Sequence, residues 1–240
     1  IHTVDEFISL LKAHPESTFS IQEDLDFSSK KYNVLDNVIV IPGTFYGEIQ
    51  GNNHKISNLK DAILFEQFEG KVDGLNIEKY SLGETNKFRT QKAIFARKAV
   101  GATFSNMKFN DIVMYGNSAI AVVAVEDENS TYENISVTNA YLEGMYYSEA
   151  MALGNNMTAF ITNKTGGSIK NCYVQGEIKA AGRKNAGIIA KVAGDVTIEK
   201  VIANVKVTCN DATSLKEQKA ITNSGFIAEI EGNLSVVDSA

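Results

Sequence analysis

The residues with reactive side chains are few and scattered. Histidine occurs at His2, His14 and His54 only, and no two lie at a spacing that would bring two imidazoles to one metal ion. His54 sits in a strand–turn run and reads as structural. Carboxylates are densest at Asp24/Asp26 and at Glu126-Asp127-Glu128. The second group follows Val125 in a predicted turn, and a solvated turn fits it better than a calcium site, which needs about six to eight oxygen ligands. No His-Glu-x-x-His, Cys-x-x-Cys or Gly-x-Ser-x-Gly is present, so the spacings of a zinc peptidase, a redox pair and a serine hydrolase are missing. Gly43, Gly47 and Gly51 are spaced for tight corners; no Gly-Lys-Ser/Thr follows, so they form no phosphate loop. What remains is recognition chemistry. The stretch YLEGMYYSEAMALGNNM sets Tyr141, Tyr146 and Tyr147 beside Met145, Met151 and Met157, residue types that suit adaptable contact surfaces. Tyr141, Met145, Tyr146, Tyr147 and Met151 are the candidate protein-binding residues. The competing reading is that they fold back over the scaffold.

The scaffold is a repeat. An apolar residue followed three positions later by another recurs as Ile56/Leu59, Val72/Leu75, Phe104/Met107, Tyr132/Ile135, Ile169/Cys172 and Ile198/Val201, with a degraded copy at Val236/Ser239. The residue before each second member is Asn58, Gly74, Asn106, Asn134, Asn171, Lys200 or Asp238. Asn and Gly tolerate left-handed backbone, so this reads as a sharp corner between two short strands. Upstream of each pair lies a small residue and an apolar strand, as in Ala62-Ile63-Leu64-Phe65, Ala93-Ile94-Phe95-Ala96 and Gly187-Ile188-Ile189-Ala190. From strand start to second anchor the chain takes 13, 14, 16, 13, 14 and 14 residues, whereas from that anchor to the next strand start it takes 3, 18, 12, 24, 15 and 24. A stacked coil behaves this way, with walls held in register and loops free at one corner. The chain is therefore all-β, a parallel β-helix with rungs about 4.8 Å apart, right-handed by the rule for parallel crossovers. Leu75, Met107, Ile135, Cys172, Ile198 and Val201 form its structural ladder. The first interval, from Leu59 to Ala62, is too short for a full rung.

The variable corner carries four insertions, 80–92, 140–157, 179–185 and 208–223, which should project from one side and form one surface. Binding residues favour loops held on rigid scaffolds. Arg89 and Arg183 fall in these insertions, and Arg97 is the third and last arginine. A polysaccharide-degrading enzyme would need charged residues clustered along one wall, so this arrangement weakens that reading.

At the N-terminus Thr3-Val4-Asp5-Glu6 is a capping box. Phe7, Ile8, Leu10 and Leu11 give the following helix an apolar face, and His14-Pro15 ends it. A lid over the open backbone edge of the coil is the favoured role. The domain reading is one β-helix over 1–240: a capping helix over 1–16, entry strands and first turns over 17–60, and repeats over 61–240. The last repeat breaks off within a rung, so a fragment of a larger protein is expected. Cys172 reads as a buried small hydrophobe; Cys209, ending a later strand, is out of phase with it, which argues against a disulfide. The net charge of −6 disfavours nucleic acid as a partner. No apolar run reaches the roughly 20 residues of a membrane span.

Two resemblances add to this. The pattern Gly-ψ-ψ-Ala-x-x-x-Gly-x-x-x-Ile-x-x-ψ at 187–201, and TAFITNKTGGSIKNCYVQGEI at 158–178, resemble the GLUG-type repeats of bacterial surface proteins. The helix FISLLKAHPESTF, the strand IQEDLDFS and the run GTFYGEIQGNNHKISNL are together similar to the region before the protease domain in immunoglobulin A protease-type zinc metallopeptidases of Gram-positive cocci. The matching positions are Phe45, Gly47, Ile49, Gly51, Asn52, His54, Ile56, Asn58 and Leu59; Gln50 stands where the family usually has Asp. The resemblance implies a non-catalytic substrate-recognition or spacer module of a secreted, cell-wall-associated zinc endopeptidase. The zinc would sit in a catalytic domain elsewhere, with no cofactor in this chain. The implied partners are a host protein such as immunoglobulin or another glycoprotein, and other domains of the same protein, without membrane contact by this part. The alternative is a surface adhesin or glycan-binding β-helix.

Overall fold

The computed structural model describes residues 1–33, 36, 38–83, 91–116, 119–144, 156–180, 184–209 and 222–240. The corners organise it. Asn106, Asn134, Asn171, Lys200 and Asp238 all have φ between 48° and 57°, and Gly74 has φ 65°. Each turns the chain from a first wall into a second. The first wall stacks Thr18–Ser20, Glu48–Gln50, Lys71–Asp73, Thr103–Ser105, Thr131–Glu133, Gly167–Lys170, Val196–Glu199 and Leu234–Val237, every pair parallel. The second stacks Leu25–Asp26, Lys55–Ser57, Asn76–Leu82, Lys108–Gly116, Ser136–Gly144, Tyr173–Ala180 and Ile202–Cys209. The third runs Val38–Phe45, Ala62–Phe68, Ala96–Val100, Ala124–Glu128, Ile161–Lys164, Ile189–Val192 and Ile227–Ile230. This is a parallel β-helix.

A fourth wall, Lys92–Ala93, Ile120–Ala121, Asn156–Thr158, Lys184–Ala186 and Thr222–Ser224, lies between the second and third walls from the third coil onward. Among the described residues the two coils before it have three walls. The apolar runs read as single strands, such as Ala93-Ile94-Phe95-Ala96, therefore straddle a bend from the fourth wall into the third. The bend is itself hydrogen-bonded from coil to coil: Ile94 N donates to Val122 O (3.1 Å), Val123 N to Phe160 O (2.9 Å) and Ile188 N to Phe226 O (2.9 Å). A bend whose backbone is paired above and below keeps the apolar spacing of a strand.

The register at the start differs from the sequence reading. Ile56 lies on the second wall, paired with Leu25 and Ile77. The residue that stacks with Val72 is Ile49, and below it Phe19. The corner after Ile49 holds two more residues than later ones, Asn52 and Asn53, both at positive φ. Coiling thus begins at Thr18, ahead of the repeat read from sequence. Gly51 is forced here: a Cβ on it would stand 2.3 Å from Leu75 N.

Phe19, Ile49, Val72, Phe104, Tyr132, Ile169, Ile198 and Val236 share one register position on the first wall, all buried except Phe19 and Val236 in the two end coils. Leu75, Met107, Ile135, Cys172 and Val201 follow their corners and are buried. An aromatic column that includes the repeat anchors Phe104 and Tyr132 threads the middle of the core. Phe45 stacks on Phe68 (5.6 Å), Phe68 meets Phe104 (5.3 Å), Phe104 stacks on Tyr132 (4.6 Å), and Tyr132 meets Phe160 (5.5 Å).

The N-terminal helix, Val4–Ala13, closes one end. Thr3 caps it by accepting from Glu6 N, while the Glu6 carboxylate reaches back to His2 N, one residue before the usual capping-box partner. Phe7 and Leu11 are fully buried, and Phe7 packs edge-on against Phe27. No helix among the described residues is long and apolar enough to cross a membrane.

Candidate functional site

The second wall has the longest strands and lies next to the variable corner. Its outer face is built by a bulge. Lys79, Asp111 and Asn139 occupy the same position in three successive strands, each left-handed at φ 55°, 56° and 52°. A left-handed residue inside a strand lets the chain absorb one extra position. After it Tyr80, Ile112 and Ala140 point inward and are buried, while Ser81, Val113 and Tyr141 face outward. The bulge ends where Gly176 pairs with Ala140; a Cβ on Gly176 would lie 2.4 Å from Ala140 O.

Two outward rows result. One runs Ser81, Val113, Tyr141, Glu177, Lys206 and the other Tyr115, Glu143, Lys179, Thr208. They interlock around Tyr141. Its ring meets Tyr115 at 6.1 Å, Lys179 Nζ lies 5.3 Å from its centroid, and its hydroxyl donates to Glu143 Oε2 at 2.5 Å. That hydrogen bond to a carboxylate pushes the Tyr141 phenol above its ordinary range. Lys206 pairs with Glu177 at 3.4 Å. The arrangement is an aromatic patch with paired charges at its rim, suited to holding a partner.

Tyr141 was assigned to an insertion. The structure places it in the strand Ser136–Gly144, two coils from Ser81. Met145, Tyr146, Tyr147 and Met151 lie outside the described residues. Met157 is buried on the fourth wall. Tyr115 was missed; the signal was its position two residues past the outward Val113, visible only once the bulge at Asp111 is known. The described ends flanking 84–90, 145–155, 181–183 and 210–221 all lead from the second wall to the fourth, so the insertions leave from one corner.

The acidic group at 126–128 is corrected. It is no solvated turn. Glu126-Asp127-Glu128 belongs to the third-wall strand Ala124–Glu128, and Asp127 is buried in the core. Asp127 Oδ1 accepts from Lys164 Nζ at 2.6 Å, with both side chains fully buried; Asp127 Oδ2 accepts from Tyr132 OH at 2.6 Å. Lys164 also donates to Ser130 O at 2.9 Å, and its Nζ lies 4.9 Å from the Tyr132 ring. Every charge is partnered, which is what lets the pair sit in an apolar core. The pair is closed to solvent, so it is structural.

His54 pairs with Asp24 at 3.2 Å, and Arg97 lies 3.8 Å from Glu66. Arg89 and Arg183 lie outside the described residues. Cys172 is buried, and burial pushes its thiol up to about 12. No group of three or more His, Cys, Asp or Glu among the described residues could hold a metal ion.

No protein-family model matches the chain, and no curated protein matches it. Solved structures do. A proposed immunoglobulin A1 protease from Bacteroides ovatus matches with a TM-score of 0.69 and 17% identity, over 100% of this chain and 76% of that one. A structure described as IgA1 protease matches with a TM-score of 0.59 and 16% identity, over 99% of this chain and 20% of that one. The chain thus spans a fifth of that second protein. At such identities the likeness is one of fold: this chain has the parallel β-helix found in proteins described as immunoglobulin A1 proteases.

Proposed function

We propose that this chain is a non-catalytic recognition and spacer module of an extracellular endopeptidase, holding a host glycoprotein while another domain cuts it. The observation that carries this is the outer face of the second wall, where Tyr115 and Tyr141 form an aromatic patch rimmed by Glu143, Lys179, Glu177 and Lys206. Tyrosine patches with a polar rim are the usual anatomy of a contact surface. The fold likeness to proteins described as immunoglobulin A1 proteases makes immunoglobulin A the first partner to try. On the sequence resemblance to zinc metallopeptidases of Gram-positive cocci, the zinc would sit in a different domain and this chain would serve as recognition or spacer module. The test is direct. The isolated chain is incubated with human immunoglobulin A, with and without added zinc. Retention without cleavage is expected in both cases; cleavage by the isolated chain contradicts the proposal.

A second reading keeps the surface and drops the protease: an adhesin or glycan-binding β-helix. The same tyrosine and charged rows favour it, because aromatic faces beside carboxylates and ammonium groups also suit a sugar chain. The full reading frame separates the two. A His-Glu-x-x-His downstream supports the protease module, and a wall anchor alone supports the adhesin.

A further inference from the structure

A cleft of about 530 Å³ opens beside the second wall near the helix-capped end, lined by Ser28, Lys30, Lys31, Tyr32, Asn58, Lys60, Asp61, Lys79 and Ser81. Four of the nine lining residues are lysines and one is acidic, in a chain whose net charge is −6. The acid is already occupied. Asp61 is buried, and its Oδ1 accepts from Gly83 N at 2.7 Å, fixing the backbone where the strand Asn76–Leu82 ends. Lys30 pairs with Asp5 of the capping helix. Lys31, Lys60 and Lys79 have no acidic partner within ion-pair distance among the described residues. Positive charge thus outnumbers negative around one concavity: Asp61 in the lining and Asp26, which feels Lys79, offset part of it, and the excess attracts an anion.

The lining is also held in unusual backbone. Asn58, Asp61 and Lys79 have φ of 57°, 56° and 55°. At Asn58 the cause is visible: its amide donates to Asp26 Oδ1 at 2.8 Å, and Asp26 in turn accepts from Ser28 N at 2.9 Å. This chain of bonds ties the first two coils' share of the lining together. At Lys79 the cause is the bulge that Asp111 and Asn139 repeat in the next two coils, so this backbone holds the lining in place as part of the fold.

We propose that this cleft binds a carboxylate-bearing sugar unit, its carboxylate held by Lys31, Lys60 and Lys79. Volume argues against a small inorganic anion alone, since 530 Å³ falls in the size range of small-molecule sites. The rest of the lining supplies what a sugar needs besides charge: Ser28 and Ser81 hydroxyls, the Asn58 amide and the Tyr32 ring. Lysines serve as mobile point charges for one anionic group. The cleft also continues into the recognition face, because Ser81 begins the outward row that passes through Val113 to Tyr141. The inference deepens the recognition reading and rests on it: an acidic glycan would enter at the lysines and extend along the tyrosine row.

The test titrates the full chain by calorimetry with N-acetylneuraminic acid and with digalacturonate, against galactose as the neutral control and sodium phosphate as the inorganic anion. One or both acidic sugars are expected to bind, at least tenfold more tightly than galactose or phosphate, with affinity falling as salt rises because the lysines are exposed. Lys60→Ala with Lys79→Asn should weaken binding at least tenfold. Asn is chosen because Asn139 occupies the position equivalent to Lys79 two coils on, with the same left-handed φ, so the fold is kept; an unchanged circular dichroism melt verifies this. Absence of binding by both acidic sugars, equal binding of galactose or phosphate, or unchanged affinity in the variant overturns the proposal. The Tyr115→Ala/Tyr141→Ala variant separates the two readings. If it loses immunoglobulin A while neither acidic sugar binds the wild type, the recognition face stands and the sugar cleft falls.

Discussion

Replacing Lys164 by methionine removes one half of a buried ion pair and leaves the other in place. Lys164 Nζ lies 2.6 Å from Asp127 Oδ1 with both side chains at 0% exposure, so neither can turn toward water. Burial already pulls the Lys164 ammonium below its ordinary range, because the loss of solvation outweighs the attraction of Asp127. With the ammonium gone, Asp127 keeps only the Tyr132 hydroxyl as a side-chain donor, and Ser130 O loses its Lys164 donor. Leaving such a charge unpaired costs about 3–5 kcal/mol. The double variant Lys164→Met/Asp127→Asn removes the stranded charge and keeps an acceptor for Tyr132. It should recover at least about 2 kcal/mol of that loss, a coupling within the range seen for contacting residues. The assay is urea unfolding followed by circular dichroism and by tyrosine fluorescence, the chain having no tryptophan. Two probes are needed because a solenoid can unfold in parts. A Lys164→Met loss under about 1 kcal/mol, or a double variant no better than the single, would refute the account of this pair.

Three further predictions rest on the coils themselves. Asn134→Val places a β-branched residue at φ 57° and breaks the amide ladder that runs from Asn134 to Asn106 at 2.9 Å and on to Asp73 at 2.6 Å. A loss of about 1–2 kcal/mol is expected, and Asn134→Gly should cost less; equal melting of the two would contradict the corner argument. Gly51→Val drives a side chain into the Leu75 backbone and should lower the melting temperature by several degrees, whereas Gly43→Ala, with open space around it, should suffer only its φ of 77°. The Cys172 thiol, raised from 9.0 to about 12, and the Tyr80 and Tyr132 phenols, raised above 10.0 by burial, all keep protons that the unfolded chain releases. Their stabilisation is complete below the unfolded values and is lost as pH rises through roughly 9 to 12 and above. Denaturant midpoints across that window check the sign, and Cys172 should not react with a thiol reagent until the protein unfolds.

Much of the scaffold was legible because its constraint is local. A corner that needs left-handed backbone restricts residue type at one position, and Asn106, Asn134, Asn171, Lys200 and Asp238 all turn there. Where the constraint is non-local the sequence misled. Ile56 matches the repeat's spacing but belongs to the second wall, because two left-handed asparagines lengthen the corner before it. Glu126-Asp127-Glu128 looks solvated until Lys164, from the next coil, is placed against Asp127. The fourth wall is invisible because its bend into the third preserves strand-like spacing. Tyr141 was read as a candidate contact residue and placed in a loop, and its neighbour Tyr115 was not singled out, since the position of both depends on the bulge at Asp111 and Asn139. The lysine cleft draws on three coils, and no run of sequence shows it.

The most direct test of the recognition face is surface plasmon resonance with the chain immobilised and human immunoglobulin A1 in flow, comparing the wild type with Tyr115→Ala/Tyr141→Ala. Both changes lie on the outer face of the second wall, so the melting temperature should hold within about a degree or two, as for surface substitutions generally. The account predicts saturable binding by the wild type and at least a tenfold loss in the variant. Equal binding by both proteins, or none by the wild type, would contradict it.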